Sequence, residues 1–139
     1  MESISIDVLL DTNILIALGD QDERLPELRD FRLLSVSSLS WAELTRGLYS
    51  SGDVFRYRLR KTHIERLGAQ FGEGIPFGDE CIAAYEQVMA TVSQLGRTTR
   101  AHVVDRMIAA TALAHGLAIV TRDRSGFAGL EHLIPIIER

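Results

Sequence analysis

"VLLDTNILIALG", Val8 to Gly19, sets one acidic and two polar residues between two aliphatic runs. The run up to Leu10, "IDVLL", has strand length, and the run after Asn13 reads as a helix starting near Ile14. A strand passing directly into a helix opens a βαβ unit, and in open α/β sheets ligands bind beyond the carboxyl ends of the strands. Asp11 therefore stands at the edge of a site or caps the helix, because Asp, Thr and Asn all favour such boundaries. This segment alone leaves both open.

Outward from it, "LLSV" (Leu33 to Val36) and "LAIVT" (Leu117 to Thr121) repeat the aliphatic run, as strands covered on both faces of a parallel sheet do. Helical patterns lie between them. "SLSWAELTRGLYS" places Trp41, Leu44 and Leu48 at i, i+3 and i+7, residues 53 to 71 read as helix, and Asp79 can cap a helix carrying Ile82, Tyr85, Met89 and Val92. "VVDRMIAATALAHG" ends on Gly116 at a C′ position just before a strand, and "LIPII" (Leu133 to Ile137) predicts a final edge strand. The expected class is α/β: a three-layer fold with a central, mostly parallel sheet flanked by helices, one domain over residues 1–139.

A net charge of −4 does not mark a nucleic-acid binder, so contact with a polyanion must rest on local patches. Cys81 is the only cysteine, which excludes an internal disulfide and a cysteine-rich zinc site and fits a reducing compartment. It reads as a helix residue rather than a nucleophile. The start "MESISIDVLL" shows no basic leader, and no window nears the roughly 20 apolar residues that span a bilayer, so a cytoplasmic location is expected.

Four acids sit where a core or a turn would not need them. Glu43 completes the capping-box pattern Ser40-Trp41-Ala42-Glu43, but Gly47 one turn later suggests close approach by another group. Asp105 shares a helical stripe with Ile108, Ala109 and Ala112, which places a carboxylate on the face turned to the sheet. Asp123 follows "LAIVT" as Asp11 follows "IDVLL", although beside Ser125 and Gly126 it also reads as a turn residue. Clustered carboxylates raise each other's pKa unless a cation offsets their charge, and an oxygen-only donor set suits Mg²⁺ or Mn²⁺. Such ions stabilise the attacking and leaving oxygens of a phosphodiester displacement.

With "LLDTNILIAL", "SVSSLSWAELTRGL" and "DRMIAATALAHGLAIVTRD" in this order along almost the whole chain, the sequence resembles the PIN domain, specifically VapC-type ribonuclease toxins of bacterial toxin-antitoxin pairs. The resemblance implies an Mg²⁺- or Mn²⁺-dependent endoribonuclease that cuts structured RNA such as tRNA or rRNA, acts as a homodimer and is neutralised by a cognate VapB-type antitoxin. Asp11, Glu43 and Asp105 match the first three acidic metal ligands, and Asn13 and Thr121 match supporting polar residues. Many relatives read Thr-x-Asn-x-x-Asp-Phe after the last core strand, where "TRDRSGF" has Asp123 in the Asn place and Gly126 just before Phe127. Asp123 is expected to take the fourth acidic role; the alternative is a catalytically degenerate PIN fold that binds RNA or protein.

For RNA contact, Arg97 and Arg100 before Asp105, and Arg122 and Arg124 around Asp123, are the candidates nearest the acids. "FRYRLRKTHIER" also carries Arg56, Arg60 and His63 on one helical line, but Leu67 and Phe71 continue it, as on a helix whose alkyl stems cover the core. His63, His102, His115 and His132 lack the spacing of a zinc site, and Trp41 falls on the core face of its helix. A haloacid dehalogenase-type phosphatase would need an Asp where Asn13 stands. A receiver domain would need a late Lys, and Lys61 is the only one.

Overall fold

The computed structural model describes residues 6–20 and 24–139; the absence of a basic leader, read from the first residues, lies outside them. Four parallel strands, β1 (Asp7–Leu10), β2 (Leu33–Val36), β3 (Ala118–Thr121) and β4 (Ile136–Glu138), form one sheet in the order β2-β1-β3-β4. The helices are α1 (Thr12–Gly19), α2 (Ser38–Gly47), α3 (Val54–Phe71), α4 (Asp79–Gln94) and α5 (Val103–His115), with a 3₁₀ turn at Arg124–Phe127. Among the described residues, no helix is long and apolar enough to cross a membrane.

Strand alternation builds the three layers, because successive side chains point to opposite faces. Leu9 and Ile119 enter one core with Val88 and Val92 of α4 and Ile108, Ala109 and Ala112 of α5. Val8, Leu10, Ala118 and Val120 enter the other, with Ile14 and Leu15 of α1, Leu44 of α2 and Leu67 of α3. The central strands are thus apolar on both sides, as parallel strands between helices must be.

Three details depart from the sequence expectations. The core face of α4 is Cys81, Ala84, Val88 and Val92, one position off the predicted stripe, and Ile82 is 54% exposed. The small Cys81 and Ala84 let α4 approach the alanine-rich face of α5, which bulkier Ile82 and Met89 would hold off. Gly78, not Asp79, occupies the N-cap of α4, and Asp79 is its first helical residue. The last strand is at the sheet edge as predicted but begins at Ile136, after Pro135, which offers no amide proton to a ladder.

Candidate active site

The carboxyl ends of β1 and β3 meet at the centre of the sheet, where their register pairs Leu10 with Val120. The chain leaves β1 through Asp11, whose amide still donates to Val120 O at 2.9 Å. Asp11 is the N-cap of α1, which begins at Thr12 rather than near Ile14, and its Oδ1 accepts from the Thr12 amide at 2.9 Å. The cap and the site are therefore one residue. From β3, the Thr121 hydroxyl donates to Asp11 Oδ2 at 2.8 Å, and its oxygen accepts from Asn13 Nδ2 at 3.2 Å and from the Asp123 amide at 3.1 Å. Asn13 Oδ1 in turn accepts from the Arg122 amide at 3.2 Å. Asn13 and Thr121 thus clamp the two strand ends around Asp11, a residue only 5% exposed.

Glu43 reaches the same place from α2. The capping box expected at Ser40 does not form, because Ser37 caps this helix by accepting from the Leu39 amide at 3.0 Å, and Ser40 is buried inside it. Glu43 is thereby free to turn toward α1, where its Oε1 accepts from the Thr12 hydroxyl at 2.6 Å; Ser40 Oγ lies 2.9 Å from that hydroxyl oxygen. Thr12 has one hydroxyl proton, so with Glu43 as acceptor Ser40 is the donor to Thr12. No close approach explains Gly47: a Cβ there would meet nothing within 4 Å. Gly47 ends α2, and its carbonyl accepts from Arg60 Nη1 at 2.7 Å.

Asp105 lies in the first turn of α5, where the helix dipole also favours an acid, and continues the stripe of buried Ile108, Ala109 and Ala112. The N-cap of that helix is His102, the one non-glycine residue of positive φ among the described residues (φ 52°), and its Nδ1 lies 3.4 Å from Asp105 Oδ2. Gly126 also packs against Asp105, since a Cβ on it would fall 2.5 Å from Oδ2 and 2.9 Å from Cγ. The Asp105 carboxylate occupies the volume that a side chain at position 126 would fill.

Burial above all, then the charges of Asp105 and Glu43, push the Asp11 carboxyl up from 3.8 to about 6, against the opposing hydrogen bonds from Thr121 and Thr12. The charges of Asp105 and Glu43 are therefore near enough to act on Asp11. Asp123 is not among the charges acting on Asp11. It is exposed and caps the 3₁₀ turn, accepting from the Ser125 amide at 2.9 Å, a bond that lowers its pKa, with His102 as the charge acting on it. The expectation that the end of β3 supplies a carboxylate facing Asp11 is met in backbone position only.

The four arginines divide. Arg122 donates to the carbonyl of Arg24, and Arg124 Nη2 to Ile136 O at 3.2 Å, so both guanidiniums bind backbone instead of facing the acids. Arg97 and Arg100 are exposed in the connection that leads into α5. On α3, Arg60 binds Gly47 O and Ser50 Oγ, and His63 Nε2 contacts Leu15 O at 2.9 Å, so part of that basic segment ties helices together. Trp41 is partly buried against the core. Thr12 and Ser40 are site neighbours to which the sequence assigned no role there, while His102, grouped with Arg97 and Arg100 just before Asp105, proves to be a partner of Asp105 itself. Only "DTN" hinted at Thr12, and nothing in periodicity announces a left-handed histidine.

A parallel α/β sheet with three carboxylates gathered where its central strands end defines the class. The chain belongs to the PIN domain family, whose model matches residues 8–132. It is 31% identical over 137 residues to the VapC ribonuclease Y4jK of Sinorhizobium fredii, covering 92% of this chain and 96% of that protein. Its fold matches VapBC-5 of Mycobacterium tuberculosis, a member of the VapBC family of toxin-antitoxin systems, with a TM-score of 0.75 at 25% identity over 96% of this chain and 98% of that one. It also matches VapBC2 of Rickettsia felis, solved bound to a DNA fragment from its promoter, with a TM-score of 0.76 at 20% identity over 96% and 99% of the two chains.

Proposed function

We propose that the protein is a divalent-metal-dependent endoribonuclease toxin, one PIN domain over residues 1–139, that hydrolyses phosphodiester bonds in structured RNA such as tRNA or rRNA. The observation that carries this is the convergence of Asp11, Glu43 and Asp105, from three different elements, on the carboxyl end of the sheet. Three carboxylates brought to one end of the sheet, one of them buried and made reluctant to ionise, are donors that a hard cation would draw together. Oxygen-only donors fit Mg²⁺ or Mn²⁺, which when bound supplies the positive charge that polarises a phosphodiester toward attack by water.

The chain's own part is positioning. Thr121 and the Thr12 amide fix the two oxygens of Asp11, the Thr12 hydroxyl aims Glu43, and His102 and Gly126 bracket Asp105. Such outer partners orient metal-binding carboxylates and are worth ~10–100-fold in metal affinity or activity. Asp123, with its carboxylate on the Ser125 amide, stands at the rim and not in the ligand set. Exposed Arg97 and Arg100 are the better placed cations for RNA phosphates, since Arg122 and Arg124 are bonded to carbonyls.

The likeness to a VapC ribonuclease and to a VapBC toxin-antitoxin system supports neutralisation by a VapB-type antitoxin; a homodimer in the cytoplasm completes this reading. The test is cleavage of total RNA by purified protein: cutting with Mg²⁺ or Mn²⁺ that ceases with chelator and in Asp11→Asn is expected. Gly126, in a place where relatives carry an acid, favours the second reading of a degenerate fold that only binds RNA or protein. RNA binding without any cleavage would establish that reading instead.

A further inference from the structure

Far from the acids, three side chains of a different chemistry converge: Glu80 and Cys81 in the first turn of α4, and His115 in the last turn of α5. Their ligand atoms all lie within 4.8 Å of one another, and His115 Nε2 is 3.5 Å from Glu80 Oε1. That spacing is close to the edge of a tetrahedron built on bonds of ~2.0–2.1 Å to nitrogen and oxygen, about 3.3 Å. Cys81 is buried beneath them, with its Sγ in a long contact of 3.7 Å to Pro76 O. Gly78 lets Glu80 fold back over the helix start, since a Cβ there would fall 2.7 Å from Oε2. The carboxyl end of α5 adds a dipole that favours a cation beside His115.

We propose that Glu80, Cys81 and His115 form a Zn²⁺ site that staples α4 to α5. A thiolate, an imidazole and a carboxylate are a borderline-soft set that selects Zn²⁺, unlike the all-oxygen set of the acidic site. Glu80 and His115 are exposed, so water completes the fourth position. Binding exchanges the Cys81 thiol proton for the metal and releases it to solvent, so affinity rises with pH. His115 lies ten residues beyond Asp105 on one helix, ~15 Å at 1.5 Å per residue, so the site stands or falls independently of RNA cleavage. Neither the single cysteine nor the isolated histidine carries a spacing motif, which is why no metal is read at His115 from the sequence.

The test is titration of the reduced, full-length Asp11→Asn protein with Co²⁺, that substitution weakening the acidic site. A near-ultraviolet thiolate-to-Co²⁺ charge-transfer band growing to one equivalent is expected, and Cys81 is the only cysteine that can give it. Zn²⁺ should bleach the band and raise the unfolding temperature. The additional change Cys81→Ser should abolish the band. His115→Ala, at an exposed position that leaves folding intact by circular dichroism, should weaken Co²⁺ binding by ~10-fold or more. No band at saturating Co²⁺, or a band of unchanged affinity in both His115→Ala and Glu80→Gln, overturns the proposal.

Discussion

β1 and β3 lie side by side, end at the same edge of the sheet, and are each followed by an aspartate that caps a helical turn, yet the two aspartates live in different worlds. Asp11 is buried, raised toward neutrality and close to two further carboxylates; Asp123 is exposed, lowered, and bonded to the turn that it starts. Capping does not separate them, because both accept a backbone N–H within two residues. Surroundings do. Side chains of α2 and α5, Glu43 and Asp105, reach toward Asp11, whereas β3 is followed by a single 3₁₀ turn that Asp123 caps. A carboxylate at a strand end is buried and raised toward neutrality by the elements gathered around it, not by its place in the strand.

The largest expected effect breaks the Asp11 side of this contrast. Asp11→Asn should lower metal-dependent RNA cleavage by more than ~100-fold, beyond the cost of losing an outer partner. It should also stabilise the metal-free protein at pH 7. The folded-state pKa of Asp11 is raised from 3.8 to about 6, so the folded chain holds the proton more tightly than the unfolded one. Stability from this group is therefore lost as pH rises from about 4 to 6, by ~3 kcal/mol at about 1.4 kcal/mol per pKa unit. Urea unfolding in chelator should show that fall in the parent and a flatter profile in Asp11→Asn, with a gain of ~1–3 kcal/mol at pH 7. Saturating Mn²⁺ should restore stability to the parent alone; a mutant no more stable than the parent in chelator would show that Asp11 carries no penalty.

Gly126 tests whether the rim has been pared back to make room for Asp105. Its Cβ would fall 2.5 Å from Asp105 Oδ2, tighter than real contacts allow, so Gly126→Ala must displace that carboxylate. Cleavage is expected to drop ~10-fold, with little change in stability because the 3₁₀ turn needs no positive φ there. Full activity in Gly126→Ala would mean that Asp105 has freedom to move aside. Gly126→Asp sharpens the point: it adds a fourth carboxylate against Asp105, so the metal-free protein should lose stability as pH rises through the carboxylate range, from about 4 upward, and recover it with Mn²⁺, read by thermal unfolding.

Much of this was legible in the sequence. Aliphatic runs of strand length between amphipathic helices gave the parallel sheet, because strands buried on both faces leave a continuous apolar signature. Asp105 declared itself by lying on a buried stripe, and Asp11 by interrupting one. Glu43 was obscured by a capping box that Ser37 pre-empts, since the sequence cannot say which of several serines starts a helix. The α4 stripe was misplaced by one residue because hydrophobicity ranks Ile82 above Ala84, whereas close helix packing on α5 selects for size. Hydroxyls such as Thr12 and Ser40 carry no periodicity at all; their role exists only once α1 and α2 meet.

Asp123 offers the smallest and most discriminating effect. Its carboxylate makes a cap to Ser125, and Asn makes the same bond nearly as well, so Asp123→Asn should leave both stability and cleavage within about twofold. Asp123→Ala removes the cap and should lower the midpoint of urea unfolding, with any loss of cleavage following the loosened turn. A charge-independent pattern, Asn tolerated and Ala not, would place Asp123 with the turn. A loss of cleavage in Asp123→Asn as large as in Asp11→Asn would make the two strand ends equivalent, and would mean that the rim turn rearranges to bring this carboxylate onto the metal.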